Sequence, residues 1–278
     1  MYKFLFAMLI FCGNVAHATS LDNAIQQLSQ EIPGTIVTPT TTEELQSLFK
    51  DATLTSVPRI FVDRLPDDFA ENGSHELYAK VITALILRSN EQILREKMLL
   101  GALKRKFEKN EDWSEQESAF FNSLVEKYDA IAVKTKATQL EQLSLKIDEI
   151  TPGLALAQSV YTTDWGKRNM QSPYAQKGWL DDKNYTETTY NSLIKATESY
   201  VEEMNSEPSY WPWREYRRRA AHRRATENLP YLLAGKLMSY QLEDPDYTRS
   251  LQQIITDNPF IIKKLFHATF SDEKGESK

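Results

Sequence analysis

Three observations predict an all-α fold with loops. Apolar residues recur with helical spacing over about nine turns after Ser74. Helix-start patterns precede several later apolar runs, and runs with the alternating pattern of strands are scarce. The 278 residues, 41% of them hydrophobic and 26% charged, can bury a sizeable core in one large or two small domains.

Residues 1–18 have the layout of a cleavable signal peptide. A positive start at Lys3 precedes a short apolar run, and Ala16-His17-Ala18 supplies a small-x-small cleavage site. The run is too short to cross a bilayer, which takes roughly 20 apolar residues. We therefore expect an exported protein, in the periplasm or cell envelope, with no membrane span after cleavage. The one cysteine, Cys12, lies within this segment, so the mature chain has no thiol.

Residues 19–56 read as a lead-in, and residues 57–149 as a helical region. The lead-in has a short helix near Leu21–Leu28, a loop with prolines and threonines, and a second short helix. In the helical region, Ser74 opens the long apolar pattern, which reaches Phe107. Two capping-box patterns, at Ser114–Glu117 and Thr138–Glu141, predict two further helices.

Residues 150–262 are predicted to form a second helical domain, followed by a polar tail at 263–278. Thr151 can cap a helix whose first turn holds Pro152, because a proline there gives up no needed hydrogen bond. The later helices are predicted at Leu193–Met204, Glu215–Thr226, Leu229–Tyr240 and Tyr247–Thr256.

Composition argues against several classes of function. The formal net charge of −6 argues against nucleic acid as the main partner. His75, His222 and His267 lack metal-binding spacing, so we expect no metal and no cofactor.

Five segments, in order from Val57 to Pro259, resemble the Bax family of bacterial exported proteins. They read VPRIFVDRLPDDF with ITALILRSNEQIL, WSEQESAFFNSLVEKY, ITPGLALAQSVYTTDWG, YNSLIKATESYVEEMNSEPSYWPWREYRRR, and LAGKLMSYQLEDPDY. The resemblance implies a lysozyme-like N-acetylglucosaminidase domain of glycoside hydrolase family 73, with a peptidoglycan-type N-acetylglucosamine polymer as ancestral substrate.

The family's catalytic acid is replaced here. The family stretch ends in Glu-Ser-x-Trp-Gly, which aligns its glutamate with Thr162. A threonine hydroxyl cannot titrate near neutral pH, and glycoside hydrolysis needs a proton donor. Asp164 is the nearest other acid, but two residues along a helix correspond to about 200° of rotation. Only a helix that ends before residue 164 would allow Asp164 to replace the glutamate.

The β-rich lobe of the family is reduced. Residues 167–189 are about half the usual length and lack its Asn-Leu-Phe-Gly motif, and Asp181, Asp182 and Glu187 are read as solvated loop acids. The resemblance leaves four substrate-binding candidates, of which Trp165 and Tyr247 have packing as the alternative interpretation. The four are Gln158, Trp165, Tyr240 and Tyr247.

An aromatic and arginine-rich stretch lies at Tyr210–Arg224. It is either a solvated basic helix face or a docking surface for a partner, because Trp and Arg are enriched in the energetic centres of interfaces. The partner-binding candidates are Trp211, Trp213, Arg214, Arg217 and Arg218.

Two functions remain open. The first is a non-catalytic scaffold that binds peptidoglycan or holds envelope proteins, as an accessory part of an envelope assembly such as a secretion machine. The second is an active endo-β-N-acetylglucosaminidase that has relocated its acid to Asp164 or to the loop acids.

Overall fold

A computed structural model describes residues 21–28, 30–131, 135–174, 177–179, 185–222, 228–237 and 246–271. Within these ranges there are twelve α-helices and six strands of two or three residues each, so the predicted all-α class is confirmed. The helices are α1 (Leu21–Leu28), α2 (Thr42–Leu48), α3 (Phe69–Asn72), α4 (His75–Glu108), α5 (Glu115–Lys127), α6 (Lys136–Lys146), α7 (Pro152–Thr163), α8 (Leu193–Ser206), α9 (Trp211–His222), α10 (Leu229–Ala234), α11 (Tyr247–Asp257) and α12 (Pro259–Lys263). The strands are β1 (Thr35–Val37), β2 (Ser56–Val57), β3 (Ile60–Val62), β4 (Lys177–Trp179), β5 (Tyr185–Glu187) and β6 (Thr269–Phe270). The predicted signal peptide lies outside the described residues.

The long helix α4 begins where the sequence predicts. The Ser74 side chain accepts a hydrogen bond from the Leu77 amide at 3.1 Å and so satisfies one of the free donors of the first turn. The helix then runs for 34 residues, with Arg105 and Lys106 in its last turn, where the helix dipole interacts favourably with cations. It packs against α1, α6, α7 and α8, which makes it the central element of the fold.

The regions on either side of residue 150 share one hydrophobic core. A single buried cluster extends from Ile32 to Leu265 and includes residues of α4, α7, α8 and α11. Asn90 on α4 bridges the predicted boundary: its Nδ2 donates to the Ile150 carbonyl at 2.8 Å, and the Ile150 amide donates to its Oδ1 at 2.9 Å. The amino-terminal helical region therefore holds the start of the segment that leads into α7.

The predicted caps differ in outcome. Ser114 and Glu117 form the predicted capping box at α5. Helix α7 starts at Pro152 as predicted, and Thr151 occupies the N-cap position, but its side chain makes no capping hydrogen bond. The capping box predicted at Thr138 is wrong, because Thr135 caps α6 and accepts a hydrogen bond from the Thr138 amide at 3.3 Å.

Of the later helices, α8 and α11 match their predictions closely. Helix α9 begins four residues earlier than expected, at Trp211, and α10 ends at Ala234; residues 223–227 and 238–240 lie outside the described ranges.

The predicted polar tail is wrong for its first nine residues. Leu265 is fully buried, and β6 pairs in parallel with β2, so that Thr269 lies opposite Ser56 and Phe270 opposite Val57. A second parallel pair joins β1 and β3. These two pairs attach the lead-in and the carboxyl-terminal residues to the helical core.

Strands β4 and β5 form an antiparallel pair in the position of the expected lobe. Among the described residues, no helix is at once long and apolar enough to traverse a lipid bilayer.

Candidate functional site

The end of α7 holds Thr162, the position at which the sequence resemblance predicts a catalytic acid in the family. The helix stops at Thr163, and Asp164, Trp165 and Gly166 then follow in left-handed backbone conformations, with φ of 49°, 61° and 84°. At Gly166 a Cβ would lie 2.8 Å from the Tyr78 ring, so both the backbone and the space require glycine. The turn therefore fixes the chain direction directly after the candidate site.

Thr162 makes an ordinary helical hydrogen bond. Its hydroxyl donates to the Gln158 carbonyl at 3.2 Å, and the side chain is half-buried. Asn169 Nδ2 lies 3.4 Å from the Thr162 carbonyl. This arrangement satisfies the hydroxyl locally and supplies no ionisable proton at residue 162.

Asp164 does not continue the helix, which was the condition for considering it as a replacement acid. As the residue after the last helical turn it adopts αL geometry, and its side chain is exposed to solvent. An exposed carboxyl lacks the apolar pocket that surrounds the general acid of a glycosidase. Its geometry therefore differs from the sequence expectation, but its surroundings do not resemble those of a glycosidase acid.

Gln158 lies inside the protein, in contrast to its predicted role in substrate binding. It is fully buried; its Nε2 donates to the Tyr247 hydroxyl at 3.0 Å, and its Oε1 accepts from the Tyr200 hydroxyl at 2.6 Å. Tyr247 is also buried and packs edge-on against Tyr161 at 4.9 Å. Both predicted substrate contacts are corrected, because an amide with both ends bonded internally is a packing group.

Trp165 is likewise a packing residue. Only 8% of it is exposed, and it stacks on the His75 ring at 4.2 Å with its edge towards Tyr78. The centroid of the Phe260 ring is 6.3 Å from that of Trp165, and the two rings are tilted. The alternative interpretation of Trp165 and Tyr247 as packing residues is therefore the one that the structure supports.

Sequence reasoning missed a buried hydroxyl cluster, formed by Tyr78, Ser159 and Thr163. The Tyr78 hydroxyl lies 2.6 Å from Ser159 Oγ and 2.9 Å from Thr163 Oγ1, and Thr163 Oγ1 also accepts from the Gly166 amide at 3.1 Å. Burial raises the pKa of Tyr78 to about 12, against the opposing effect of these hydrogen bonds. The available signal was the pair of hydroxyl residues Ser159 and Thr163, four residues apart on one face of α7.

Several other predicted residues fall outside the described part of the chain. Tyr240, Asp181 and Asp182 lie in undescribed segments, and Glu187 belongs to β5, where only the backbone is described. Among the described residues, no group of histidine, cysteine or carboxylate side chains is arranged to hold a metal ion.

The arginine-rich helix α9 turns three of its five predicted partner contacts inward. Trp213, Arg214 and Arg217 are buried, so they cannot form a docking surface in this fold. Arg217 lies over the Trp213 ring at 4.6 Å. Of the five, Trp211 is 44% exposed, and Arg218 is exposed and paired with Glu215 at 3.1 Å on its own helix.

Arg214, Arg217 and Lys146 form a second buried group, the basic cluster. Lys146 Nζ donates to the Asp129 and Ser206 carbonyls, both at 2.9 Å, and Arg214 Nη1 donates to the Met204 carbonyl at 3.0 Å. These carbonyls lie at the carboxyl ends of α5 and α8, where acceptors are unpaired and the dipole is negative.

Arg217 donates the most hydrogen bonds of the cluster. Its acceptors are the carbonyls of Leu145, Lys146, Asp148 and Glu149 and the side-chain oxygen of Asn205, at 3.0 to 3.3 Å. Burial lowers the pKa of Arg217 to about 10, although Asp148 and Glu149 oppose the shift, and the guanidinium stays charged at neutral pH. The basic stretch in the sequence therefore caps helix ends inside the molecule.

Comparison with known proteins adds no relative. No protein-family model matches the chain, and no curated protein or solved structure matches it significantly.

Proposed function

We propose that the chain is an exported cell-envelope protein with a glucosaminidase-like scaffold and no hydrolytic activity. In this role it binds peptidoglycan or holds envelope proteins as an accessory part of an envelope assembly such as a secretion machine. The sequence resemblance between Val57 and Pro259 supports the proposed family, and the signal-peptide layout of residues 1–18 supports the proposed location.

The observation that carries the proposal is the chemistry at Thr162. A glycosidase protonates the leaving oxygen with a carboxylic acid, and general acid–base assistance is typically worth about 10²- to 10⁴-fold in rate. Here the side chain is a hydroxyl bonded to the Gln158 carbonyl. The neighbouring glutamine and tyrosine of the expected groove are bonded to each other inside the core. Turnover at this position therefore has neither a proton donor nor an open binding surface beside it.

A carbohydrate or protein partner must then contact other residues. Trp211 and Arg218 are the accessible members of the predicted partner-binding set. Trp211 lies at the start of α9, where its ring can stack on a sugar face or fill a pocket of a protein.

The test is an assay for release and for binding. The chain from Thr19 onward, incubated with peptidoglycan, should release no fragments but should sediment with cell-wall sacculi or copurify with envelope proteins. Trp211→Ala should reduce this association, whereas Arg249→Ala, another exposed side chain far along the chain, should not. Release of sugar fragments at a rate typical of glycosidases would contradict the proposal.

A second candidate is an active glucosaminidase that uses Asp164. It is favoured by one observation, the end of α7 at Thr163, which frees the Asp164 side chain from the helix. If it is correct, turnover is present in the wild type and lost in Asp164→Asn. Under the first proposal neither protein is active, and Thr162→Glu restores little, because Gln158 and Tyr247 stay buried.

A further inference from the structure

A cavity of about 300 Å³ lies between α1, α4 and α8, away from the end of α7. This volume is at the lower end of the range for small-molecule sites, and cavities between packed helices are a common place for them. Its apolar walls come from Leu28, Ile32, Ile93 and Val201. The cavity can therefore take an aliphatic group of modest size.

The two cations that line this cavity are each paired with a carboxylate. The Arg88 guanidinium binds the Glu198 carboxylate, and Lys127 Nζ binds Glu96 Oε1 at 2.7 Å. The Glu31 and Glu202 carboxylates line the same cavity and form no salt bridge or side-chain hydrogen bond with any residue in the described ranges. The uncompensated charge of the cavity is thus negative.

Ser89 adds a polar group to the wall of the cavity. The residue is 5% exposed, and its hydroxyl has no hydrogen bond to the part of the chain that the structure describes. This hydroxyl is therefore available to a polar atom of a ligand. The described lining combines an apolar surface, the Ser89 hydroxyl and, at the edge, the Glu31 and Glu202 carboxylates.

We propose that this cavity binds a small amphiphilic amine. The ammonium group lies near the Glu31 and Glu202 carboxylates, and the aliphatic body packs between Ile32, Ile93 and Val201. An ammonium group has the charge opposite to that of the Glu31 and Glu202 carboxylates, whereas a carboxylate ligand would meet like charges. This site is independent of whether the chain binds peptidoglycan or hydrolyses it.

The experiment uses n-pentylamine as the probe. The chain from Thr19 onward, which keeps every described residue, is labelled at its isoleucine and valine methyl groups and titrated while NMR shifts are recorded. Pentylammonium should shift the methyl signals of Ile32, Ile93 and Val201. The neutral 1-pentanol should bind several-fold more weakly, and pentanoate should bind more weakly still.

The matched variants test the charge. Because Glu31 and Glu202 are exposed, the double variant Glu31→Gln/Glu202→Gln should fold normally and bind pentylamine about fivefold to tenfold more weakly, as two solvent-exposed charge pairs allow. The control Glu43→Gln/Glu141→Gln changes two exposed glutamates elsewhere and should leave the affinity unchanged.

Three results would overturn the proposal. They are the absence of shifts at these three methyl groups, equal affinity for the three probes, and unchanged affinity in Glu31→Gln/Glu202→Gln. None of them bears on turnover or binding of peptidoglycan, so failure here is distinct from failure of the proposed function.

Discussion

The basic cluster and the hydroxyl cluster both place polar side chains inside the protein, but the first holds charged groups and the second holds neutral ones. Both are buried and polar, and both adjoin α7: Arg217 bonds the Glu149 carbonyl just before the helix, and Thr163 is its last residue. The basic cluster holds three cations, which several helix-terminal carbonyls stabilise. The hydroxyl cluster holds only neutral groups, each bonded to another hydroxyl or to the backbone.

The difference shows where this fold accepts buried charge. A buried ion is costly unless well-placed partners surround it, and the ends of α5, α6 and α8 supply such partners around Arg217 and Lys146. The Thr162 hydroxyl has one described partner, the Gln158 carbonyl, which accepts hydrogen bonds and cannot donate one to a carboxylate. A carboxyl group at residue 162 would thus lack the support that the cations have.

The largest effect is expected from removing the cation at the centre of the basic cluster. Arg217→Met keeps much of the side-chain volume but removes the Arg217 donor to the carbonyls of Leu145, Lys146 and Glu149. It also removes one of the two cations paired with the Asp148 carboxylate. We expect a loss of about 3 to 5 kcal/mol in the free energy of unfolding, measured by chemical denaturation. The control Arg218→Met removes an exposed arginine next to it and should change stability by less than about 0.5 kcal/mol. Equal effects of the two would show that the cluster contributes little.

Gly166 tests the turn that closes the hydroxyl cluster. Gly166→Ala forces a left-handed residue to carry a Cβ against the Tyr78 ring, so we expect a loss of about 2 to 4 kcal/mol. Gly101→Ala is the control, because its Cβ meets nothing closer than the Arg105 guanidinium at 3.7 Å within α4. That change should stabilise the protein by about 0.5 to 1 kcal/mol. Thermal unfolding distinguishes the lower stability expected for Gly166→Ala from the higher stability expected for Gly101→Ala.

The two adjacent threonines of α7 separate a structural hydroxyl from a dispensable one. Thr163→Val leaves the Gly166 amide without its acceptor and removes a partner of Tyr78, so we expect a loss of about 1 to 3 kcal/mol. Thr162→Val removes only the bond to the Gln158 carbonyl, which a helix satisfies through its own amides, and should change stability by less than about 0.5 kcal/mol. A larger effect at Thr162 would indicate a role that its contacts do not explain.

The smallest effect concerns pH at the carboxylates beside Arg217. Burial, and then the charge of Asp148, raises the pKa of Glu149. The folded state therefore binds this proton more tightly than the unfolded chain, and the associated stability is lost as the pH rises through the folded pKa. Glu149→Gln should thus be more stable than the wild type at pH 7, by less than about 1 kcal/mol, with no gain at pH values where Glu149 is protonated.

The pH dependence expected from Asp148 is opposite in sign to that expected from Glu149. Although burial alone would raise it, Arg217 and Lys97 hold the pKa of Asp148 below its usual value. Its contribution is present at neutral pH and is lost as the pH falls through the folded pKa. Asp148→Asn should therefore destabilise the protein at pH 7 and matter less in acid. Denaturation curves at pH 7 and in acid test both variants. A change in stability of the same sign for Glu149→Gln and Asp148→Asn at pH 7 would contradict this assignment.

Local signals in the sequence predicted the helices well. The start of α4 at Ser74 and the capping box at Ser114–Glu117 depend on residues three apart, so the sequence contains the whole interaction. The prediction of Thr138 as the cap of α6 was wrong because Thr135, three residues earlier, also precedes a helical pattern, and its hydroxyl accepts the capping hydrogen bond from the Thr138 amide.

The site was less predictable, because burial depends on distant residues. Nothing within α9 indicates that Arg214 and Arg217 face the ends of α6 and α8 whereas Arg218 faces solvent. The sequence predicted Gln158 as a substrate-binding residue, but Tyr200 and Tyr247, which lie far along the chain, are its hydrogen-bond partners in the structure. By contrast, the absence of a titratable group at Thr162 is fixed by residue type, and it is the part of the candidate site that the sequence alone determined.

The pairing of β2 with β6 has a consequence for the order of assembly. Ser56 and Val57 are synthesised more than 200 residues before Thr269 and Phe270, which lie opposite them in the strand pair. Closing so long a loop depends on the intervening helices packing first. While Thr269 and Phe270 are still inside the ribosome, β2 has no partner strand, so this pair forms only after the helices between the two strands have been synthesised.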